Sequence, residues 1–241
     1  MGDRARRRVE IDDCPLPEDR LYDWENRTWA MREAGGELWK IGLMAPFTAF
    51  IGPANAITFR PLGPLERGRS VGMVESVRFT GAVRLPFDAE VVEQNSALPS
   101  RPRLLNDAAY GDGWVARIRP KRPDEERPWL QSAEALAPQV RAFVREQHVR
   151  CWPVTPDLEM FEIGLECSAI LTQVNEELAK RPAGWALRLV TDDPTSPIEM
   201  ERWSDQTGHT LLARRHEGNL YEFLIRKEEN PVPRRPLRGP R

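Results

Sequence analysis

The sequence predicts two domains of different class, a mainly-β domain followed by an α+β two-layer sandwich in the order β-α-β-α-β-β. Two observations carry this. From Pro15 to about Pro120, Gly and Pro cut the chain into short apolar runs with no helical period. From Val154 onward, short runs alternate with stretches whose apolar residues recur every three or four positions. The length, 241 residues, also suits two cores better than one.

In the first half, strands are expected over Trp39–Gly42, Ala56–Phe59, Val71–Val77, Glu90–Glu93 and Trp114–Ile118. Val71, Met73 and Val77 alternate with smaller or polar residues, apart from Val74, which suggests a strand with its main apolar face inward. A second alternating piece, Ala82–Leu85, follows Thr80-Gly81, so residues 78–81 lie near a hairpin tip. After a charged, Pro-broken stretch at 120–128, Leu130, Ala133, Leu136, Ala137, Val140, Phe143 and Val144 predict a helix. Pro138 either kinks it or starts a second helix.

In the second half, a strand through Leu158–Ile163 leads to Gly164-Leu165-Glu166-Cys167. Ile170, Leu171, Val174 and Leu178 then mark one face of a helix, so Cys167 stands at its N-cap or first position. Unpaired amides and the positive end of the helix dipole gather there. A thiol so placed is expected to ionise more readily, and the thiolate is the nucleophile. The plainer alternative is a small buried hydrophobe that happens to start a helix. A strand at Ala186–Thr191, a helix opened by Ser196 as cap with Pro197 behind it and stopped by Gly208, and two strands at His209–His216 and Leu220–Lys227 complete the order.

Composition narrows the function classes. A net charge of -2 gives no overall attraction to nucleic acid or anionic membrane. The three histidines, His148, His209 and His216, are widely separated and lack the spacing of a zinc site. The three cysteines, Cys14, Cys151 and Cys167, are odd in number and widely spaced, and predict neither a disulfide framework nor a C-x-x-C metal pair. There is no run of about 18 apolar residues to span a membrane, and the basic N-terminus lacks the apolar stretch of a signal peptide. A cytoplasmic protein is the expectation.

Both halves resemble known families. Val74-Glu75-Ser76-Val77-Arg78 is similar to the E-S-V-K lipoylation motif of the glycine-cleavage H protein. Glu90–Leu98, Pro102-Arg103-Leu104-Leu105-Asn106 and Tyr110–Trp114 resemble its later motifs. The resemblance implies the barrel-sandwich hybrid of lipoyl carriers with a C-terminal helix. Arg78, however, stands where the lipoyl-lysine belongs, and a guanidinium, always protonated, does not form that amide. The second half resembles the TusA-type sulfur carriers through Gly164-Leu165-Glu166-Cys167, Asp192-Asp193-Pro194, Trp203, Thr207-Gly208-His209 and Phe223–Lys227. That family holds sulfane sulfur as a persulfide on the cysteine matched by Cys167. Its C-P-x-P reads Cys167-Ser168-Ala169-Ile170 here, with both prolines absent.

The expected division is a flexible tail over 1–14, an H-like domain over 15–150, a sulfur-carrier domain over 151–228 and a disordered Pro/Arg tail over 229–241. The expected function is sulfur transfer through a Cys167 persulfide, by a carrier rather than an enzyme, with no cofactor and no metal. Sulfur donor and acceptor proteins are the expected partners, with lipoyl-handling proteins through the H-like half, and neither nucleic acid nor membrane. The alternative is an interaction or scaffold protein in which both carrier sites have decayed.

Overall fold

The computed structural model describes residues 7–122, 125 and 127–234. Contacts divide the chain into two compact units, residues 1–151 and 152–241. The first is rich in strands and the second is α+β.

In the first unit, β1 (Arg8–Ile11) and β2 (Cys14–Pro17) form a two-stranded hairpin. Then come β3 (Leu21–Asp23), β4 (Thr28–Arg32), β5 (Trp39–Leu43), α1 (Ala45–Ile51), β6 (Ala54–Phe59) and β7 (Gly63–Leu65). The unit continues with β8 (Ser70–Ser76), β9 (Thr80–Arg84), β10 (Ala89–Gln94), α2 (Leu104–Asp107), β11 (Ala116–Pro120), β12 (Leu130–Gln131) and α3 (Ala133–Glu146). A seven-stranded sheet has the order β12-β3-β4-β5-β11-β10-β7, and β6-β8-β9 make a second sheet. Both sheets face one core: Ile41 and Ile118 from the larger meet Ile57, Val74 and Val83 from the smaller. A second core lies under α3, where Leu136, Val140 and Val144 pack with Ile11, Leu16, Tyr22 and Trp29.

Several expectations are corrected here. Cys14 and Cys151 are joined in a disulfide across 137 positions, with Cα atoms 4.9 Å apart. Neither residue lies in a motif that would announce it, because only the fold brings β2 and the segment after α3 together. Residues 8–14 are not a loose tail, since β1 pairs with β2 in register and Ile11 is buried. The tail expected before Arg7 lies outside the described residues. The β-rich half also holds two short helices. α1 has a proline in its first turn, a start signal hidden among Gly and Pro. α3 runs through Pro138 as one helix, capped by Ser132, whose hydroxyl accepts from the Ala135 amide at 3.2 Å.

The second unit comprises β13 (Leu158–Glu162), α4 (Cys167–Ala179), β14 (Ala186–Thr191), α5 (Ser196–Thr207), β15 (Thr210–Glu217) and β16 (Leu220–Arg226). The sheet order is β13-β14-β16-β15, with β13 parallel to β14 and the other pairs antiparallel. Alternation on β14 and β16 sends Leu187, Leu189, Phe223 and Ile225 to the helix side. There they meet Ile170, Val174 and Leu178 of α4 and Met200 and Trp203 of α5. The cap of α5 is Thr195, one residue before the expected Ser196. Its other end closes on Gly208 in the left-handed region, φ 78°. A Cβ there would lie 2.5 Å from the Val232 amide nitrogen. Residues 231–234 therefore lie against the end of α5, where the Arg234 amide donates to Asp205 at 2.8 Å, instead of trailing free. The expected tail beyond 234 lies outside the described residues. No helix among the described residues is long and apolar enough to cross a membrane.

Candidate functional site

Cys167 is the first residue of α4, and Glu166 is the cap residue with extended backbone but no side-chain capping bond. The parallel pairing of β13 and β14 brings the β13–α4 loop beside the β14–α5 loop. Asp192 and Asp193, at the end of β14, then serve as clamps. The Gly164 amide donates to Asp192 Oδ1 at 2.7 Å, and the Cys167 amide donates to Asp193 Oδ2 at 2.6 Å. Asp193 Oδ1 also accepts from the amide and hydroxyl of Thr195, both at 2.8 Å. These bonds, the Thr195 amide foremost, hold the Asp193 carboxyl below its ordinary range, so it stays ionised.

This geometry overturns the expected ionisation of the thiol. The helix start does attract an anion, but the anion bonded to the Cys167 amide is the Asp193 carboxylate. Cys167 is only 5% exposed, and burial first, then the charges of Asp193 and Glu199, push its pKa up to about 11. The nearby carboxylates that count are thus supplied by the β14–α5 loop and α5. Cys167 is the chain's free cysteine, the other two being consumed in the disulfide.

Around the buried sulfur the surface is apolar and acidic. Ile163 and Ile198 are 53% and 60% exposed and Leu165 is exposed as well, whereas Phe161, also exposed, lies on the sheet face away from the helices, with the Arg188 guanidinium 5.7 Å from its ring centroid. Ile163 follows the end of β13 and Ile198 lies in the first turn of α5, and both leave their side chains in solvent, which periodicity alone does not reveal.

The second candidate position, Arg78, lies at the turn between β8 and β9, exposed, with Glu75 paired to Thr80 below it. Ser76 fixes the base of this turn: its amide donates to Phe79 O at 2.8 Å and its hydroxyl to Ile51 O at 2.8 Å. Phe79 folds inward, edge-on to Phe47 with ring centroids 5.4 Å apart. Gly81 makes that possible, because a Cβ there would lie 2.1 Å from the Phe79 ring. Phe79 and Gly81 therefore act as a pair that packs the tip down. The remaining motif residues of this half are scaffold. Asn106 bonds the carbonyls of Thr48 and Gly52 and the amide of Ala54, and Asn95 bonds the carbonyls of Asp112 and Trp114. No group of three or more His, Cys, Asp or Glu with metal-binding geometry occurs among the described residues.

A strand-rich unit with a hairpin tip, followed by an α+β unit with a cysteine opening a helix, defines a chain of two carrier-type modules. Residues 20–143 match the glycine cleavage H-protein model, and the chain belongs to that family; residues 163–227 match the sulfurtransferase TusA model. The architecture is thus an H-protein domain fused to a TusA domain. Among curated relatives, glycine cleavage system H protein 5 of Aquifex aeolicus is 38% identical over 148 residues, covering 59% of this chain and 99% of the relative. H protein 2 of the same organism is 28% identical over 148 residues, covering 61% and 91%. The H protein of Thermus thermophilus is 32% identical over 107 residues, covering 44% and 81%.

Proposed function

We propose that this protein carries sulfane sulfur as a persulfide on Cys167 and exchanges it with donor and acceptor proteins. The observation that carries the reading is the place of Cys167: the free cysteine of the chain, opening α4 within the segment that matches TusA. In loading, the Cys167 sulfur attacks the outer sulfur of a donor persulfide. The donor S–S bond breaks, its inner sulfur leaves as a thiolate that takes up the proton, and Cys167 holds the S–SH group. Unloading is the same exchange with an acceptor thiol, so no redox partner, cofactor or metal is required, and the protein is a carrier rather than an enzyme.

In this proposal residues 15–150 and 151–228 are the two working modules. We read the two sheets of the first as the barrel-sandwich hybrid of lipoyl carriers, with Arg78 in the lipoyl-lysine position and the module retained for docking, lipoyl-handling proteins included. Intact-mass measurement tests both halves of the reading. Incubation with glutathione persulfide should add one sulfur atom, which Cys167→Ser abolishes, and co-expression with a lipoate ligase should add no lipoyl mass. Loading of the serine variant, or a lipoyl group on any lysine, would sink the corresponding half.

A second reading, a scaffold with both carrier sites decayed, is favoured by the burial of Cys167 and its raised pKa. Failure of the wild-type chain to load sulfur would support it. We place the protein in the cytoplasm, although a disulfide such as Cys14–Cys151 persists mainly in oxidising compartments. The thiol state of those two residues in cells quenched with acid and alkylated decides that point.

A further inference from the structure

The end of the second unit that holds Cys167 combines two surface properties that the sulfur chemistry itself does not need. Exposed apolar side chains occur there: Ile163 and Leu165 in the loop after β13, and Ile198 in the first turn of α5. The two loops are tied together through Asp192 and Asp193, so these residues share one end of the sheet. Large apolar groups left in water beside a reactive position mark an interaction surface.

The same end is acidic. Residues 159–170 and 191–199 contain Glu159, Glu162, Glu166, Asp192, Asp193 and Glu199 and no Lys, Arg or His. Arg188 pairs with Glu159, and Arg202, one turn further along α5, pairs with Glu199 at 2.7 Å. The β15–β16 turn reaches this end too, because Tyr221 pairs with Thr191, and it brings Glu217, His216 and, beside Glu222, Arg215. The balance at this end is negative.

We infer that Ile163, Leu165 and Ile198, flanked by these carboxylates, form a docking face for a sulfur-exchanging protein whose reactive cysteine sits among apolar and cationic side chains. The inference rests on the carrier reading and adds the chemistry of the partner. Charge of opposite sign steers the partner in and sets its register, while the apolar contact excludes water around the exchanging sulfurs. An acidic partner is repelled.

The test uses the full chain and two labelled peptides, each with one cysteine flanked by leucines, one carrying arginines and the other glutamates. Binding is read by fluorescence anisotropy, and sulfur loading by mass after each cysteine is persulfidated, with glutathione persulfide as a small donor. The arginine peptide should bind, and load Cys167, about tenfold better than the glutamate peptide at low salt, with the preference shrinking at high salt. The double variant Ile163→Ser, Ile198→Ser keeps every charge and should lose most of that advantage while loading normally from glutathione persulfide. Equal behaviour of the two peptides, with normal glutathione persulfide loading, overturns the docking face and leaves the carrier reading intact. An unchanged preference in the double variant overturns the apolar part and hence the proposed face. Absence of loading from every donor overturns the carrier reading and the docking inference with it.

Discussion

Reduction of the Cys14–Cys151 bond should lower the stability of the first unit by about 3–5 kcal/mol, the range expected when a loop of this length is released in the unfolded chain. For a unit of this size that is roughly 6–20 °C in melting temperature. The bond lies in the core beneath α3, among Ile11, Leu16, Tyr22 and Val149, so it also fixes the β1–β2 hairpin against that helix. Thermal melts with and without reductant, and of the Cys14→Ser, Cys151→Ser double variant, measure it. A shift of less than about 1 kcal/mol would show that packing alone holds the hairpin.

Asp193→Asn should make Cys167 react faster with iodoacetamide at pH 8, by about three- to tenfold. The substitution removes a negative charge; its one remaining oxygen can accept from the Cys167 amide only by giving up the bond that Asp193 accepts from the Thr195 amide, so the helix start is kept at the cost of that loop contact. Burial, the largest cause of the raised pKa, remains, and the gain is therefore bounded. The sign follows from the thiol being the protonated form: with a pKa of about 11, wild-type reactivity should climb about tenfold per pH unit from 8 to 10. Glu199→Gln should act in the same direction and more weakly, since its charge ranks after that of Asp193. A wild-type rate already level at pH 8, or an Asn variant slower than wild type, would refute this account of the site.

The secondary structure of the second unit was largely legible in the residues. Ile170, Val174 and Leu178 recur at helical spacing and are the buried face of α4, and Ala186–Thr191 is strand β14 to the residue. In the first unit β5, β6, β8, β9, β10 and β11 fall on the expected runs within a few residues. α1 and α2, with 7 and 4 residues, are too short for periodicity to register. β1 escaped because four residues with Ile11 as the buried member carry little pattern. The thiol was misjudged for a different reason. Sequence places Cys167 at a helix start, but which carboxylate accepts its amide is a matter of strand pairing, and Asp193 lies 26 residues away. The disulfide, at 137 positions, is the extreme case of the same blindness.

That bond also changes how the chain would carry tension. Pulled from its ends, the oxidised protein transmits force from residue 14 across the sulfur link to residue 151 and on into the second unit. The seven-stranded and three-stranded sheets between bear no load. With 137 positions separating the bonded residues, about 450 Å of extensible chain is withdrawn from the path, at about 3.3 Å per residue. Under tension residues 14–151 are a closed bead on the line, and β1 and the second unit are the parts that can yield.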